Sequence, residues 1–177
     1  GRGNGGQNNR RGANGAWNVS LDRFEGAQTD DGVLKGKVFR MYKQNSNSYQ
    51  KTISAFRTYV STAYKNTPTI AVLFGSVPKV PKPKPLKIHA PTGTLDPATN
   101  IRFTTSGDKD VEKEFAKSYA TGVENLEINL CSLFGVIIGQ CDPPLIKYLE
   151  ALSDFEDKST DGDCYWLLEN IRSLCAN

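Results

Sequence analysis

Hydrophobic positions recur at helical spacing along much of the chain after residue 33. Apolar residues stand at positions 34, 38, 41 and 42, and a second series runs from Tyr49 to Tyr64 at steps of three and four. Side chains three and four positions apart lie on one face of a helix, so both series predict amphipathic helices. A short apolar run from Ile70 to Phe74 follows. We predict a helical turn there, because no neighbouring segment offers a strand to pair with.

The strongest helical pattern lies between Val111 and Ile137, where apolar residues repeat every three or four positions. Asp108 and Asp110 stand at its start, where the helix dipole favours acidic side chains. The pattern predicts a helix of about 29 residues, or roughly 43 Å. Gly122 lies inside this helix and could mark a bend.

The stretch SLFGVIIGQCDPP, residues 132–144, ends this helix. Gly139 can terminate a helix, whereas Asp142 can cap a new one with Pro143 in its first position. That next helix is expected to bury Leu145, Tyr148, Leu149 and Leu152. A last helix is expected from about Asp161 or Asp163, with an apolar stripe from Cys164 to Cys175. Since no run of alternating strands is present, the predicted fold class is an all-α helical bundle.

A Pro-rich segment interrupts the helical patterns. Residues 77–97 hold six of the nine prolines, and proline at nearly every second position disfavours both helix and ladder pairing. We predict an extended, polyproline-like exposed loop, with low complexity continuing to about residue 107. Its lysines form either a solvated loop or a strip that contacts RNA phosphates or a partner: Lys79, Lys82, Lys84 and Lys87.

The first 18 residues, GRGNGGQNNRRGANGAWN, contain six Gly, five Asn, three Arg and no acid. Such a segment cannot bury enough apolar surface to offset the entropy lost on ordering, so we predict a disordered cationic arm. The arm is either a plain linker or an RNA-binding segment in which Arg contacts phosphates and Trp stacks on a base. The residues concerned are Arg2, Arg10, Arg11 and Trp17.

The predicted domain organisation has three parts. After the arm, residues 19–141 form an N-terminal helical domain that carries the Pro-rich loop 77–107. Residues 142–177 form a smaller C-terminal helical domain, which we expect to be truncated, and the break at 139–144 is a candidate hinge. The net charge is +3, but residues 142–177 hold eight acids against three bases, so opposite charges at the two ends favour head-to-tail contact or internal docking.

The sequence contains few residues in arrangements typical of a catalytic site or a metal site. A nucleophilic Cys141 needs a base, and the only histidine, His89, lies far away in sequence. The four cysteines contain no C-x-x-C pair, and we expect them to be buried, reduced thiols: Cys131, Cys141, Cys164 and Cys175. GRGNGG matches a dinucleotide-binding pattern by letter only, without a flanking strand or helix. We therefore expect no enzymatic activity, cofactor, metal or small-molecule substrate.

Localisation is predicted from two further absences. No run of about 18 apolar residues is present, and no secretory signal is recognisable. We expect no membrane partner and a cytoplasmic protein.

Three stretches resemble one known family. FEGAQTDDGVLKGKVF, residues 24–39, is similar to the F-x-G…L-x-G-x-V-F opening of Gag proteins from copia-type LTR retrotransposons, especially the algal-type branch. The likeness continues in the 49–64 helix and is clearest at residues 125–172, where G-Q-C precedes D-C-x-W-L-L-x-x-I-R. Phe134 and Ile138 replace the Tyr and Trp that are usual in the family, with apolar character kept. The likeness is weakest in the Pro-rich loop.

The resemblance implies a helical, retroviral-capsid-like protein, part of a polyprotein, that self-associates into a shell around the element's RNA. Enzymes and the zinc knuckle of such polyproteins lie downstream. The C-terminal helices are a candidate dimer surface, although their apolar stripe is alternatively buried internally. Residues considered for self-association are Leu145, Tyr148, Leu149, Trp166, Leu167 and Ile171. The alternative function is an RNA-binding or RNA-chaperone module that does not assemble.

Overall fold

The structure is a computed structural model, which describes residues 24–28, 32–42, 44–65 and 67–176. Helices predominate in this part of the chain, as the sequence predicts. We number them α1 Ser46–Ala63, α2 Thr67–Ala71, α3 Ser106–Gly139, α4 Pro143–Glu150, α5 Phe155–Asp161 and α6 Cys164–Cys175. A 3-10 turn, Val72–Phe74, follows α2, and a small antiparallel hairpin pairs β1 Leu95–Asp96 with β2 Ile101–Arg102.

Side chains cap the longer helices at their starts. Asn45 accepts a hydrogen bond from the backbone N–H of Ser48 at 2.8 Å, which satisfies one of the free donors of α1. Asp142 does the same for α4 through the N–H of Leu145 at 3.1 Å, so the predicted cap is confirmed. At α6, Asp163 accepts from the N–H of Trp166 at 3.0 Å, which places the start of this helix within the predicted range.

The helix predicted at 34–42 is wrong. Residues 32–42 form turns and one isolated bridge, in which Phe39 pairs with Cys141. The N–H of Phe39 donates to the carbonyl of Gln140 at 2.8 Å, and the carbonyl of Phe39 accepts from the N–H of Asp142 at 2.9 Å. Because these bonds use the backbone groups that a helix would use internally, Phe39 pairs with the end of α3 and does not join a helix. Gly36 adopts a left-handed φ of +67° in the turn that precedes Phe39.

Three stacked phenylalanines form the centre of the core. The ring of Phe56 on α1 lies 5.7 Å from that of Phe39 and 5.5 Å from that of Phe74, measured between centroids. Aliphatic residues of α3, α4 and α6 belong to the same buried cluster. Burying each such side chain contributes roughly 1.5–3 kcal/mol. The cluster contains residues from both sides of the predicted domain boundary at 141/142. The division into two domains stays a prediction, and the two parts share one hydrophobic core.

Helix α3 extends well beyond the core. It has 34 residues, a length of about 51 Å, and among its buried residues only Asp108 precedes Leu126. By length and composition alone this is the one helix of the described residues that could cross a membrane. Core helices that are mostly buried pass the same test, but only 22% of the apolar window of α3 is buried inside the protein, with Leu133 and Ile137 among its fully buried residues.

Helix α5 and the hairpin were not predicted. In α5 the sequence FEDKSTD has a single large apolar residue, so no periodicity marks it. It ends at Gly162, which adopts a left-handed φ of +65°. A Cβ at this position would lie 2.7 Å from the backbone nitrogen of Cys131, so glycine also permits the close approach of α5 to α3.

Candidate functional site

The four lysines of the Pro-rich segment lie along an exposed stretch of chain that we call the Lys strip, residues 79–87. It has neither helix nor ladder pairing, and all four lysines are exposed: Lys79, Lys82, Lys84 and Lys87. Its first end is fixed where the N–H of Lys79 donates to the carbonyl of Val72 at 3.0 Å. The extended, exposed loop that the prolines predict is therefore observed, ending in the hairpin β1–β2.

The carboxylate of Asp108 fixes the chain beyond the strip. It accepts hydrogen bonds from the N–H and hydroxyl of Thr92 at 2.9 and 2.7 Å and from the N–H of Thr105 at 2.9 Å. The Nε2 atom of His89 lies 2.8 Å from the same carboxylate. These partners, above all the two backbone N–H groups, hold the pKa of Asp108 well below its usual range. Asp108 thus caps α3 and fastens the loop to it.

His89 has a structural role that its sequence position did not reveal. Besides approaching Asp108, its ring meets the ring of Phe115 on α3 edge-on, with centroids 6.3 Å apart. The ammonium of Lys87 lies 5.8 Å from the centroid of the same Phe115 ring, within cation–π range. His89 and Lys87 together hold the end of the Lys strip against α3.

A groove of about 500 Å³ separates the Lys strip from α3. One wall carries Pro83, Lys84 and Lys87, and the other carries Phe115 and Tyr119. The Tyr119 side chain remains 39% exposed, so its ring is accessible from solvent. Proteins that bind single-stranded nucleic acids combine aromatic rings with nearby basic side chains. Bases stack on the rings, and the cations attract the phosphates.

A second unit of hydrogen bonds lies at the corner after α3, where it forms around Gln140. Its side-chain amide donates to the carbonyls of Leu34 and Lys37 at 2.8 and 2.9 Å and accepts from the N–H of Gln28 at 3.1 Å. Gly26, at φ +90°, lies so close that a Cβ there would overlap the Gln140 amide. This corner ties residues 26–28 and 34–37 to the end of α3.

Cys141 packs inside this corner. Its side chain is fully buried, and its thiol donates to the carbonyl of Ile137 at 3.3 Å. Burial raises the pKa of the thiol, which keeps it protonated and unreactive. The only histidine of the sequence, His89, is instead engaged with Asp108, so it is not placed as a base for Cys141. This agrees with the interpretation of Cys141 as a packing residue.

The prediction that all four cysteines are buried is wrong for one of them. Cys131 is exposed on α3, whereas Cys164 and Cys175 are buried on α6. Burial raises the pKa of the Cys175 thiol to about 12 and shifts that of Cys164 upward as well. The helical spacing places Cys131 beside apolar residues in sequence, but it lies on the outward side of the helix.

The residues considered for self-association fall into two groups. Four are fully buried in the core and offer no surface to a partner: Leu145, Leu149, Leu167 and Ile171. The apolar stripe of α6 is thus internal, as one of the two interpretations held, because α6 packs on α3 and on the 3-10 turn. Tyr148 is 41% exposed, so the prediction that its helix buries it is wrong. Tyr148 and the half-buried Trp166 remain on the surface.

The candidate RNA-binding residues of the arm lie outside the described residues: Arg2, Arg10, Arg11 and Trp17. The structure therefore brings together only the loop half of the predicted RNA-binding set. It adds Phe115 and Tyr119, which helical spacing identified only as members of an apolar stripe. An apolar stripe that continues beyond the buried part of a helix is the signal that could have found them.

Metal-binding geometry is not found in the described ranges, where no three His, Cys, Asp or Glu side chains are placed to hold an ion. Comparison with protein-family models, with curated proteins and with solved structures finds no match for this chain.

Proposed function

We propose that this chain is a structural, Gag capsid-like protein that self-associates into a shell around retrotransposon RNA. It would act in the cytoplasm without enzymatic activity, metal or cofactor. The proposal starts from the sequence resemblance to Gag proteins of copia-type elements. A mostly helical protein with exposed basic and aromatic side chains is compatible with that role.

One observation supports the proposal most directly. Two of the stretches that carry the resemblance, 24–39 and 139–142, meet in one hydrogen-bonded corner, although about a hundred residues separate them. The Gly of F-x-G, Gly26, touches the Gln of G-Q-C, Gln140. The stretches that carry the resemblance therefore belong to one structural unit of the folded protein, which is compatible with their forming part of one Gag-like domain.

RNA as a partner is supported by the charge of the Lys strip. Within the described residues, Lys79, Lys82 and Lys84 form no ion pair, so their charges are available to phosphates. Contacts of this kind release counterions and supply most of the non-specific affinity for nucleic acids.

The test is light scattering with negative-stain microscopy across protein concentration, with and without RNA. We expect regular particles at high concentration, promoted by RNA at low salt. A persistent monomer or dimer under all conditions would contradict the shell proposal.

The alternative is an RNA-binding or RNA-chaperone module that does not assemble. Burial of four of the six self-association candidates favours it, because the remaining surface is small. In the same experiment, tight RNA binding without particles would support this alternative.

A further inference from the structure

The groove between the Lys strip and α3 is a built feature that the resemblance does not account for. We propose that it binds single-stranded RNA, with a base stacked on the Tyr119 ring and the neighbouring phosphates held by Lys84 and Lys87. The inference deepens the proposed function and rests on RNA being the partner. It assigns a defined binding site to the RNA, whereas the lysines alone would attract RNA without fixing its position.

The geometry of the groove suits a stacked base. Tyr119 and Phe115 are one helical turn apart on α3, so their rings lie on the same side of the helix. Phe115 is already covered by His89 and Lys87, whereas Tyr119 is 39% exposed. Tyr119 therefore has the more exposed ring of the two. The volume of about 500 Å³ lies in the range that ligand clefts occupy and exceeds what a single base needs.

The anchors at both ends keep this groove in shape before a ligand arrives. The backbone bond from Lys79 to Val72 fixes one end of the strip, and the Asp108 contacts with His89 and Thr92 fix the other. Less conformational entropy is then lost on binding than for a free loop of the same composition.

The charge of the groove favours an anion, although not uniformly. Lys84 and Lys87 line it, and Lys79 and Lys82 lie on the same strip, which carries no acid between residues 79 and 87. Glu114 also lines the groove and opposes a phosphate. For a basic peptide the signs of these interactions are opposite: Glu114 would attract it, and the lysines would repel it. The balance of charge therefore favours RNA.

The test compares two oligonucleotides of equal length and phosphate number by fluorescence anisotropy with the full chain. One carries uracil bases, and in the other every base is replaced by a tetrahydrofuran abasic analogue. We expect the base-containing strand to bind more tightly. In Tyr119→Ala its binding should weaken roughly 5- to 150-fold, the range for one lost base–aromatic stack, with little change for the abasic strand. Tyr119→Phe should retain the preference.

Tyr42→Ala is the matched control, since Tyr42 is also an exposed tyrosine, at 76%, and does not line the groove. It should leave the base preference unchanged. Lys84→Gln and Lys87→Gln should weaken both strands and lower the salt slope by about 0.7 each, whereas Lys147→Gln on α4 should not. Glu114→Gln should strengthen both; weaker RNA binding in this variant would instead indicate a cationic ligand.

Equal binding of the two strands by the unmodified chain, or a base preference that survives in Tyr119→Ala, would overturn the inference. Its failure is distinguishable from that of the shell proposal. RNA-dependent particles that form while Tyr119→Ala keeps the base preference would refute only the groove. A base preference lost in Tyr119→Ala, in a protein that never forms particles, would refute only the shell.

Discussion

The side-chain amide of Gln140 donates a 2.8 Å hydrogen bond to the backbone carbonyl of Leu34, 106 residues earlier in the chain. Gln140 is fully buried, and its remaining polar capacity is used by Lys37 and Gln28. A buried amide with several partners adds side-chain hydrogen bonds between backbone segments that are far apart in sequence. This side chain thus fixes Gln28 and residues 34–37 against the end of α3.

Gln140→Ala should therefore destabilise the protein. It leaves the buried carbonyl of Leu34 without its donor and creates a cavity, and we expect a loss of about 2–4 kcal/mol in the free energy of unfolding. Urea unfolding followed by circular dichroism measures this loss. Gln50→Ala, an exposed glutamine on α1, should stay within about 0.5 kcal/mol of the unmodified protein. Equal effects of the two substitutions would contradict a structural role for Gln140.

The sequence pattern was sufficient to predict those elements whose structure depends mainly on neighbouring residues. The period of three and four predicted α1, α3 and α6, and proline content predicted the extended loop, because these depend on near neighbours. The cap at Asp142 was likewise readable from residues 142–143 alone. Helix α5 was missed because its short, polar sequence carries no period.

Contacts between distant segments could not be read in this way. The apolar spacing at 34–42 suggested a helix, yet the backbone of Phe39 bonds to Gln140 and Asp142 instead. The sequence position of His89 gives no sign of its partner, which the fold shows to be Asp108. Of the candidate site, the lysines were predictable from composition. The aromatic wall opposite them was not, because its position depends on how the loop docks on α3.

The network at Asp108 predicts acid sensitivity. Its pKa in the folded protein lies below the unfolded value of about 3.9, so its contribution to stability is complete above that pH. As the pH falls further towards the folded pKa, this contribution is lost. Asp108→Asn should lower stability at neutral pH and flatten the dependence below about pH 4 in thermal melts.

Asp110→Asn provides the matched control for this prediction. Asp110 lies two residues further along α3 and is exposed. Its substitution should leave both the neutral-pH stability and the acid dependence close to those of the unmodified protein. If the two variants show the same acid dependence, Asp108 does not fasten the loop in the way the hydrogen bonds indicate.

Cysteine reactivity should separate Cys131 from the other three. Iodoacetamide reacts with accessible thiolates, and burial raises the pKa of the Cys141, Cys164 and Cys175 thiols. Mass spectrometry of the native protein should therefore find alkylation at Cys131 first. Unfolding in urea should expose all four thiols. Rapid native labelling of Cys141 would show that the corner opens readily, contrary to its buried hydrogen bonds.

Adjacent residues on α4 should respond in opposite ways to truncation. Tyr148 is 41% exposed, so Tyr148→Ala should leave the free energy of unfolding within about 0.5 kcal/mol while reducing any concentration-dependent association. Leu149 is fully buried, and Leu149→Ala should cost about 2–5 kcal/mol of stability. Sedimentation measurements without RNA report association, and urea unfolding reports stability. Unchanged association in Tyr148→Ala would exclude this face from the interface, and the surviving candidate would then be Trp166.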